Sequence, residues 1–196
     1  MSKTVEFYFD LGSPASYLAW TQLPALCARH GANLVYRPML LGGVFQATGN
    51  ASPAMIPAKG RYMSIDLGRF AARYGVPFGL PPGFPINTLH LMRGLMGVQM
   101  RSPERFEALL AALFNGLWAQ RRNLGEPERL HQTLHQAGFD PEALQALAAD
   151  GEVKAELKRV TEEAVARGVF GAPTCFVGAE MFFGQDRLDF VEAALG

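Results

Sequence analysis

The fold of this chain is decided by the stretch Val5-Glu6-Phe7-Tyr8-Phe9-Asp10-Leu11-Gly12-Ser13-Pro14-Ala15-Ser16-Tyr17. Its first five residues alternate in character and predict a strand at a buried edge of a sheet, followed by a tight turn at Gly12. Ser13 is a preferred N-cap, and Pro14 is a preferred first helical residue because proline has no N–H to lose there. The stretch therefore predicts a strand, a turn and a helix that begins at Ser13-Pro14.

The same turn has the chemistry of a thiolate-binding site. A helix that begins beside Ser13 directs backbone N–H groups and the positive end of its dipole at whatever lies there. Ser13 and Ser16 have the spacing of a redox Cys-x-x-Cys pair with both sulfurs replaced by hydroxyls. The site has no thiol of its own, which suggests that a cofactor supplies the sulfur. N-capping alone is the alternative role for Ser13, and we expect Ser16 to be only a first-turn helix residue.

The composition is typical of a compact soluble enzyme and argues against nucleic-acid or membrane partners. Of the 196 residues, 49% are apolar and 18% are charged, which suits one well-buried core. Lys+Arg and Asp+Glu both number 18, so no net field favours nucleic acid or an anionic membrane. The longest apolar stretches are shorter than a membrane span, and no export signal is visible.

The cysteines and histidines predict neither a disulfide nor a metal site. Cys27 on a predicted helix and Cys175 in a predicted strand are the only cysteines, so a reducing cytoplasm is the expected location. Cys175 has no partner cysteine at the Ser-x-x-Ser positions, which favours a packing role. His131 and His135 have the spacing of paired metal ligands, but no third ligand is evident, so exposed helix positions are the preferred interpretation.

The predicted elements follow the order βαβ, a helical block, and αββα. A strand near 4–9, a helix near 14–30 and a strand near 32–38 form a right-handed βαβ unit. Helical periodicity then dominates, near 57–74, 88–99, 103–120, 126–136 and 141–149. The chain ends with a helix near 152–167, a hairpin that turns at Gly178-Ala179, and a helix near 185–195.

This order predicts an α/β, thioredoxin-like fold with an inserted all-helical domain. Residues 1–40 and 154–196 would form the thioredoxin-like domain, and residues 41–153 the insertion. Pro173 fits this prediction, because a proline cannot donate a ladder hydrogen bond and belongs at the start of a strand. A cis Ala172–Pro173 bond would turn the Ala172 backbone toward the Ser13 turn.

Several blocks of residues carry a resemblance to a known family. They are Phe7-Tyr8-Phe9-Asp10, Ser13-Pro14-Ala15-Ser16-Tyr17, Arg37-Pro38-Met39-Leu40-Leu41-Gly42-Gly43, Gly49-Asn50, Pro57-Ala58-Lys59-Gly60-Arg61-Tyr62, Pro85-Ile86-Asn87-Thr88, Val169-Phe170-Gly171-Ala172-Pro173-Thr174 and Phe183-Gly184-Gln185-Asp186-Arg187. On these blocks the chain resembles the 2-hydroxychromene-2-carboxylate isomerases and the kappa-class glutathione transferases. The two groups share one architecture within the disulfide-oxidoreductase branch of thioredoxin folds.

The resemblance implies that glutathione is the cofactor, with no metal. Ser13 would lie at the glutathione sulfur, where its hydroxyl donates to the thiolate. Ala172 would pair its backbone with the cysteinyl backbone of glutathione. The prolines that follow these two residues, Pro14 and Pro173, belong to the same implied site.

The resemblance also implies contacts for the two ends of glutathione. Gln185 and Asp186 match positions that hold the γ-glutamyl end, where the Asp186 carboxylate suits an ammonium group. Asn50 and Lys59 match positions that line the groove between the two domains. The alternatives are a simple turn residue for Asn50, a solvated surface charge for Lys59 and a helix-start acid for Asp186.

The implied function is a glutathione-dependent isomerase that interconverts 2-hydroxychromene-2-carboxylate and trans-o-hydroxybenzylidenepyruvate. Its partners would be a small aromatic carboxylate and a second copy of the chain in a homodimer. A kappa-type glutathione transferase, which consumes glutathione by conjugation, is the first alternative, favoured by Leu41-Gly42-Gly43-Val44 and Pro57-Ala58-Lys59-Gly60. A non-catalytic glutathione-binding module is the alternative of another class. A dithiol oxidoreductase is disfavoured because serine occupies both positions of the Cys-x-x-Cys spacing.

Overall fold

The computed structural model of the protein describes residues 3–196. Its sheet contains the strands β1 (Thr4–Phe9), β2 (Asn33–Pro38), β3 (Thr174–Val177) and β4 (Glu180–Phe183). Their order across the sheet is β2-β1-β3-β4, with β1 parallel to β2 and antiparallel to β3. The expectation that β1 lies at a sheet edge is therefore wrong. Phe7, Tyr8 and Phe9 are all 0% exposed, because helices cover both faces of this inner strand.

Nine helices of the α type lie within residues 3–196. They are α1 (Pro14–Arg29), α2 (Leu41–Thr48), α3 (Pro57–Tyr74), α4 (Leu89–Arg101), α5 (Phe106–Phe114), α6 (Pro127–Gln136), α7 (Pro141–Ala149), α8 (Gly151–Ala166) and α9 (Leu188–Leu195). The single helix predicted near 103–120 is instead a short 3₁₀ turn, α5 and a π-helical turn at Asn115–Ala119.

Helix α2 was not predicted, because its sequence contains two weak helix formers, Gly42 and Gly43. Contacts with α8 explain why it forms. A Cβ atom at Gly43 would lie 3.3 Å from Thr161 Cγ2, so the two helices pack closely there. The Thr161 hydroxyl also accepts a 3.0 Å hydrogen bond from the Leu40 N–H, just before α2 begins. Tertiary contacts thus outweigh the poor local propensity.

The rest of the predicted order is confirmed. The βαβ unit, the long run of helices and the αββα end form a thioredoxin-like α/β fold. Apolar packing is continuous between the sheet and the helices: the rings of Phe9 and Phe114 lie 5.7 Å apart. The Trp118 indole Nε1 donates a 3.0 Å hydrogen bond to the Leu11 carbonyl. The limits of the two predicted domains remain a prediction. None of the helices described in residues 3–196 is long and apolar enough to cross a membrane.

One buried carboxylate joins the β1–α1 turn to the helical run. Asp10 Oδ1 accepts hydrogen bonds from the Gly12 N–H at 2.8 Å and from the Thr88 hydroxyl at 2.7 Å. Asp10 Oδ2 accepts from the Leu41 N–H at 2.8 Å. Burial raises the pKa of Asp10, while these three hydrogen bonds favour its ionised form. The interpretation of Asp10 as a carboxylate that organises the turn is thus supported by its contacts.

We expect Asp10→Asn to lower the free energy of unfolding by about 1–3 kcal/mol. An amide replaces one acceptor oxygen by an N–H donor, so it leaves at least one of the three donors facing another donor. The measurement is chemical denaturation, with Asp140→Asn as the matched control. Asp140 is exposed and caps α7 by accepting the Glu142 N–H, a role that asparagine fills equally well. Equal stability of the two variants would contradict this role for Asp10.

Candidate functional site

The β1–α1 turn fixes the Ser13 hydroxyl by two hydrogen bonds. Ser13 is the N-cap of α1, and its Oγ accepts from the Ser16 N–H at 3.1 Å. The same Oγ donates to the Ala172 carbonyl at 2.9 Å. Ser13 is only 4% exposed. The N-cap role is therefore real, and it leaves the hydroxyl at the first turn of a 16-residue helix, directed at the segment before β3.

Across from Ser13, the segment before β3 presents main-chain groups. The Ala172–Pro173 peptide bond is cis, as expected. The Ala172 N–H makes no hydrogen bond within residues 3–196, so it is available to a ligand. The Pro173 carbonyl accepts from the Gly184 N–H at 3.0 Å, which ties this segment to the one after β4. The β1–α1 turn and the segment before β3, which are far apart in sequence, therefore meet at Ser13.

A cleft of about 740 Å³ opens at this meeting point. Seven of the eight predicted site residues line it: Ser13, Pro14, Asn50, Lys59, Ala172, Gln185 and Asp186. Pro173 does not line it. This residue is buried at the start of β3 and contributes only through its neighbours. The cleft has the volume expected for a small-molecule site.

One rim of the cleft carries Asn50 and Lys59. Asn50 follows the end of α2, and its Nδ2 donates to the Phe170 carbonyl at 2.8 Å, which joins this rim to the segment before β3. Lys59 lies in the first turn of α3, is exposed, and forms no ion pair within the described part of the chain. It is therefore a cation available to an anionic ligand.

The cleft is also lined by Gln185 and Asp186. They begin a short 3₁₀ turn, Gln185–Arg187, that follows Gly184, whose φ of 104° lies in the region that favours glycine. Gln185 is 7% exposed, and its carbonyl accepts from the Tyr74 hydroxyl at 2.9 Å. The exposed Asp186 carboxylate forms an ion pair with the neighbouring Arg187. This part of the cleft thus offers a carboxylate and the start of a helical turn.

Most of the remaining cleft lining is apolar, and sequence reasoning did not identify it as part of the site. It includes Leu41, Phe45, Tyr62, Met63, Leu67, Phe84, Phe170 and Phe183. These residues come from two helices, α2 and α3, from two loops and from the end of β4, so no local pattern groups them. The Phe114 and Trp118 side chains are buried in the core and are not part of this lining.

The other residues weighed in the sequence have structural surroundings. Cys27 and Cys175 are free and buried. Burial raises the pKa of both thiols, that of Cys27 to about 11, so neither is a reactive thiolate near neutral pH. Ser16 is fully buried, and its hydroxyl has no hydrogen-bond partner in residues 3–196. His131 and His135 are exposed on α6, and the described residues contain no group of three or more side chains suited to hold a metal.

Comparisons with known proteins identify the family of this chain. A family model described as a DSBA-like thioredoxin domain matches residues 4–196. The chain is 34% identical to a 2-hydroxychromene-2-carboxylate isomerase from Sphingobium xenophagum, over 100% of this chain and 99% of that protein. It is 31% identical to glutathione S-transferase kappa 1 from Homo sapiens, over 100% of this chain and 92% of that protein. A solved structure of 2-hydroxychromene-2-carboxylate isomerase is similar with a TM-score of 0.88 at 30% identity, over 98% of this chain and 94% of that one. The chain therefore belongs to the DSBA-like thioredoxin family, in the group of 2-hydroxychromene-2-carboxylate isomerases and kappa-class glutathione transferases.

Proposed function

We propose that this protein is a glutathione-dependent isomerase that interconverts 2-hydroxychromene-2-carboxylate and trans-o-hydroxybenzylidenepyruvate. The observation that carries the proposal is the Ser13 hydroxyl, held at a helix N-terminus in a cleft that contains no thiol among its lining residues. A site built to stabilise a thiolate, but without one, requires a sulfur from a bound molecule. The similarity to isomerases over the whole chain selects the reaction.

The residues of the cleft fit glutathione along its length. The unpaired Ala172 N–H suits the peptide backbone of the cysteinyl part, with Pro14 and the buried Pro173 shaping the site around it. Gln185 and Asp186 suit the γ-glutamyl end, where the Asp186 carboxylate would face an ammonium group. The fit therefore rests on groups that already face the cleft.

The part of the cleft lined by Asn50 and Lys59 suits a carboxylate. Asn50 and Lys59 lie on the rim, and Lys59 has no competing ion pair within residues 3–196. A lysine at this position attracts the glycyl carboxylate of glutathione or the carboxylate of an aromatic substrate. The apolar lining contributed by Phe45, Phe84 and Phe183 suits the flat ring of such a substrate.

Ser13 would act by lowering the pKa of the glutathione thiol. A helix N-terminus contributes about 0.3–1 kcal/mol to a nearby anion, and a hydrogen bond to a charged acceptor contributes roughly 1.5–3 kcal/mol. Together they lower a thiol pKa by roughly one to three units, from about 8.5, which makes the thiolate a large fraction of the bound thiol at neutral pH. The Ser13 hydroxyl now donates to the Ala172 carbonyl, and it needs only to rotate to donate to a sulfur instead.

When bound beside Ser13, glutathione would supply a nucleophilic sulfur for reversible addition to the conjugated substrate. The contribution of the chain is to hold that sulfur beside Ser13 and to orient the substrate. The apolar walls exclude water from the ring, and Lys59 fixes the carboxylate at the rim. In this proposal no group of the protein itself forms a covalent bond to the substrate.

A kappa-type glutathione transferase is the alternative, because the chain is 31% identical to human glutathione S-transferase kappa 1. The two functions share the thiolate. They differ in the product, because an isomerase returns free glutathione and a transferase releases the glutathione conjugate.

We also propose that the protein works in a reducing cytoplasm, which the free Cys27 and Cys175 support. We further propose a homodimer, as the resemblance to the family implies.

We expect Ser13→Ala to lower kcat/KM for the isomerisation by roughly 10- to 100-fold, which corresponds to the loss of one hydrogen bond to a charged sulfur. Glutathione should still bind, because the other contacts remain. The matched control is Ser16→Ala, in the same turn. Its hydroxyl is buried and has no partner within residues 3–196, so its kcat/KM should stay within about twofold of the unaltered protein. Unchanged turnover in Ser13→Ala would refute the role of Ser13.

The isomerase and transferase functions are separated by counting glutathione. We expect the chromene carboxylate to be converted over many turnovers while the total free glutathione stays constant, because the thiolate is released in each cycle. The measurement is a thiol assay alongside chromatography of substrate and product. Loss of one glutathione for each substrate molecule would favour the transferase. Binding of glutathione without any turnover of either substrate class would favour a non-catalytic module.

A further inference from the structure

The C-terminal end of α3 is tied to the Gln185 turn by a single side chain. The Tyr74 hydroxyl donates a 2.9 Å hydrogen bond to the main-chain carbonyl of Gln185. Within residues 3–196, Tyr74 is the only side chain from outside residues 184–187 that hydrogen-bonds to this turn. Helices α1 and α9 also pack against the turn, but among the described residues the side-chain hydrogen bond that reaches it from outside comes from α3.

The Tyr74 ring is held in a partly buried position suited to this role. Its centroid lies 5.9 Å from that of Phe70, one turn earlier on α3. Burial raises the pKa of Tyr74, and the nearby Asp186 carboxylate raises it further. The hydroxyl therefore stays protonated throughout the neutral range and remains a donor.

The hydrogen bond links two sides of the cleft. Helix α3 lines one side of the cleft with Lys59, Met63 and Leu67. Its last residue contacts the turn whose first two residues, Gln185 and Asp186, line another part of the cleft. The position of the Gln185 turn is thus set from the helix that also borders the substrate space.

We propose that Tyr74 is a positioning residue that holds Gln185 and Asp186 in place for the γ-glutamyl end of the bound thiol. This inference rests on the proposed function, because it assumes that glutathione occupies the cleft. It assigns to Tyr74 a selective effect. The residue supports recognition of the γ-glutamyl group and does not affect the sulfur or the reacting carbon, which lie near Ser13.

The test compares Tyr74→Phe with Tyr17→Phe in the full-length protein. The Tyr17 hydroxyl donates to the Pro77 carbonyl at 2.8 Å, so this control loses the same kind of hydrogen bond, but to a carbonyl outside the Gln185 turn. Calorimetry measures the Kd of glutathione and of cysteinylglycine, which lacks the γ-glutamyl group. We expect Tyr74→Phe to weaken glutathione binding about two- to tenfold and to leave cysteinylglycine binding unchanged. Tyr17→Phe should change neither Kd.

Kinetics give a second readout. With saturating glutathione, kcat of Tyr74→Phe should stay within about twofold of the unaltered protein, while the KM for glutathione rises about two- to tenfold. Unchanged selectivity between the two thiols in Tyr74→Phe, or an equal loss in both variants, would overturn the inference. Failure of the unaltered protein to bind glutathione would instead overturn the proposed function.

A measurement on the unaltered protein covers the case in which Tyr74→Phe does not fold. Hydrogen–deuterium exchange is followed with and without glutathione. If Tyr74 links α3 to the Gln185 turn, glutathione should slow exchange in the last turn of α3, at residues 71–75, as well as in the turn at 184–188. Slower exchange at 184–188 with no change at 71–75 would overturn the inference.

Discussion

The carboxylate of Asp10 accepts hydrogen bonds from three separate parts of the chain, and the position of the site depends on them. The Gly12 N–H fixes the turn that carries Ser13, the Leu41 N–H begins α2, and the Thr88 hydroxyl stands at the start of α4. A buried carboxylate is stable only when its oxygens are satisfied. The starts of α2 and α4 therefore cannot shift against the β1–α1 turn without leaving part of that carboxylate unpaired.

Close packing around the same carboxylate explains the glycine in the turn. A Cβ atom at Gly12 would lie 3.3 Å from Asp10 Oδ1 and 3.3 Å from the Thr88 hydroxyl oxygen. A larger residue would push these groups apart. The turn is thus held both by hydrogen bonds and by lack of space, which gives the Ser13 hydroxyl a defined place at the helix N-terminus.

The sequence predicted the features whose causes are local. The alternation of β1, the Ser13-Pro14 helix start and the hairpin after Pro173 each follow from a few neighbouring residues, and the structure contains all of them. Long-range contacts were not predictable in this way. Helix α2 has poor local propensity and forms through packing against α8. The inner position of β1 depends on a partner strand that lies more than 150 residues away.

The candidate site divides in the same manner. Polar residues such as Ser13 and Asp186 stand in recognisable motifs, and both line the cleft. The apolar walls could not be predicted, because Phe45, Phe84 and Phe170 become neighbours only in the folded chain. No sequence motif marks Tyr74, because the acceptor of its hydrogen bond is a main-chain carbonyl 111 residues away. The one available signal for Phe45 is its spacing of four from Leu41 along a single helical face.

The proposed function depends on Ser13 lowering the pKa of a thiol that a bound molecule supplies. The most direct measurement is a titration of glutathione bound to the unaltered protein, followed by the ultraviolet absorbance of the thiolate. We expect an apparent pKa roughly one to three units below the value of about 8.5 for a free thiol, with most of that difference lost in Ser13→Ala. A bound thiol that titrates like free glutathione would contradict the proposed role of Ser13.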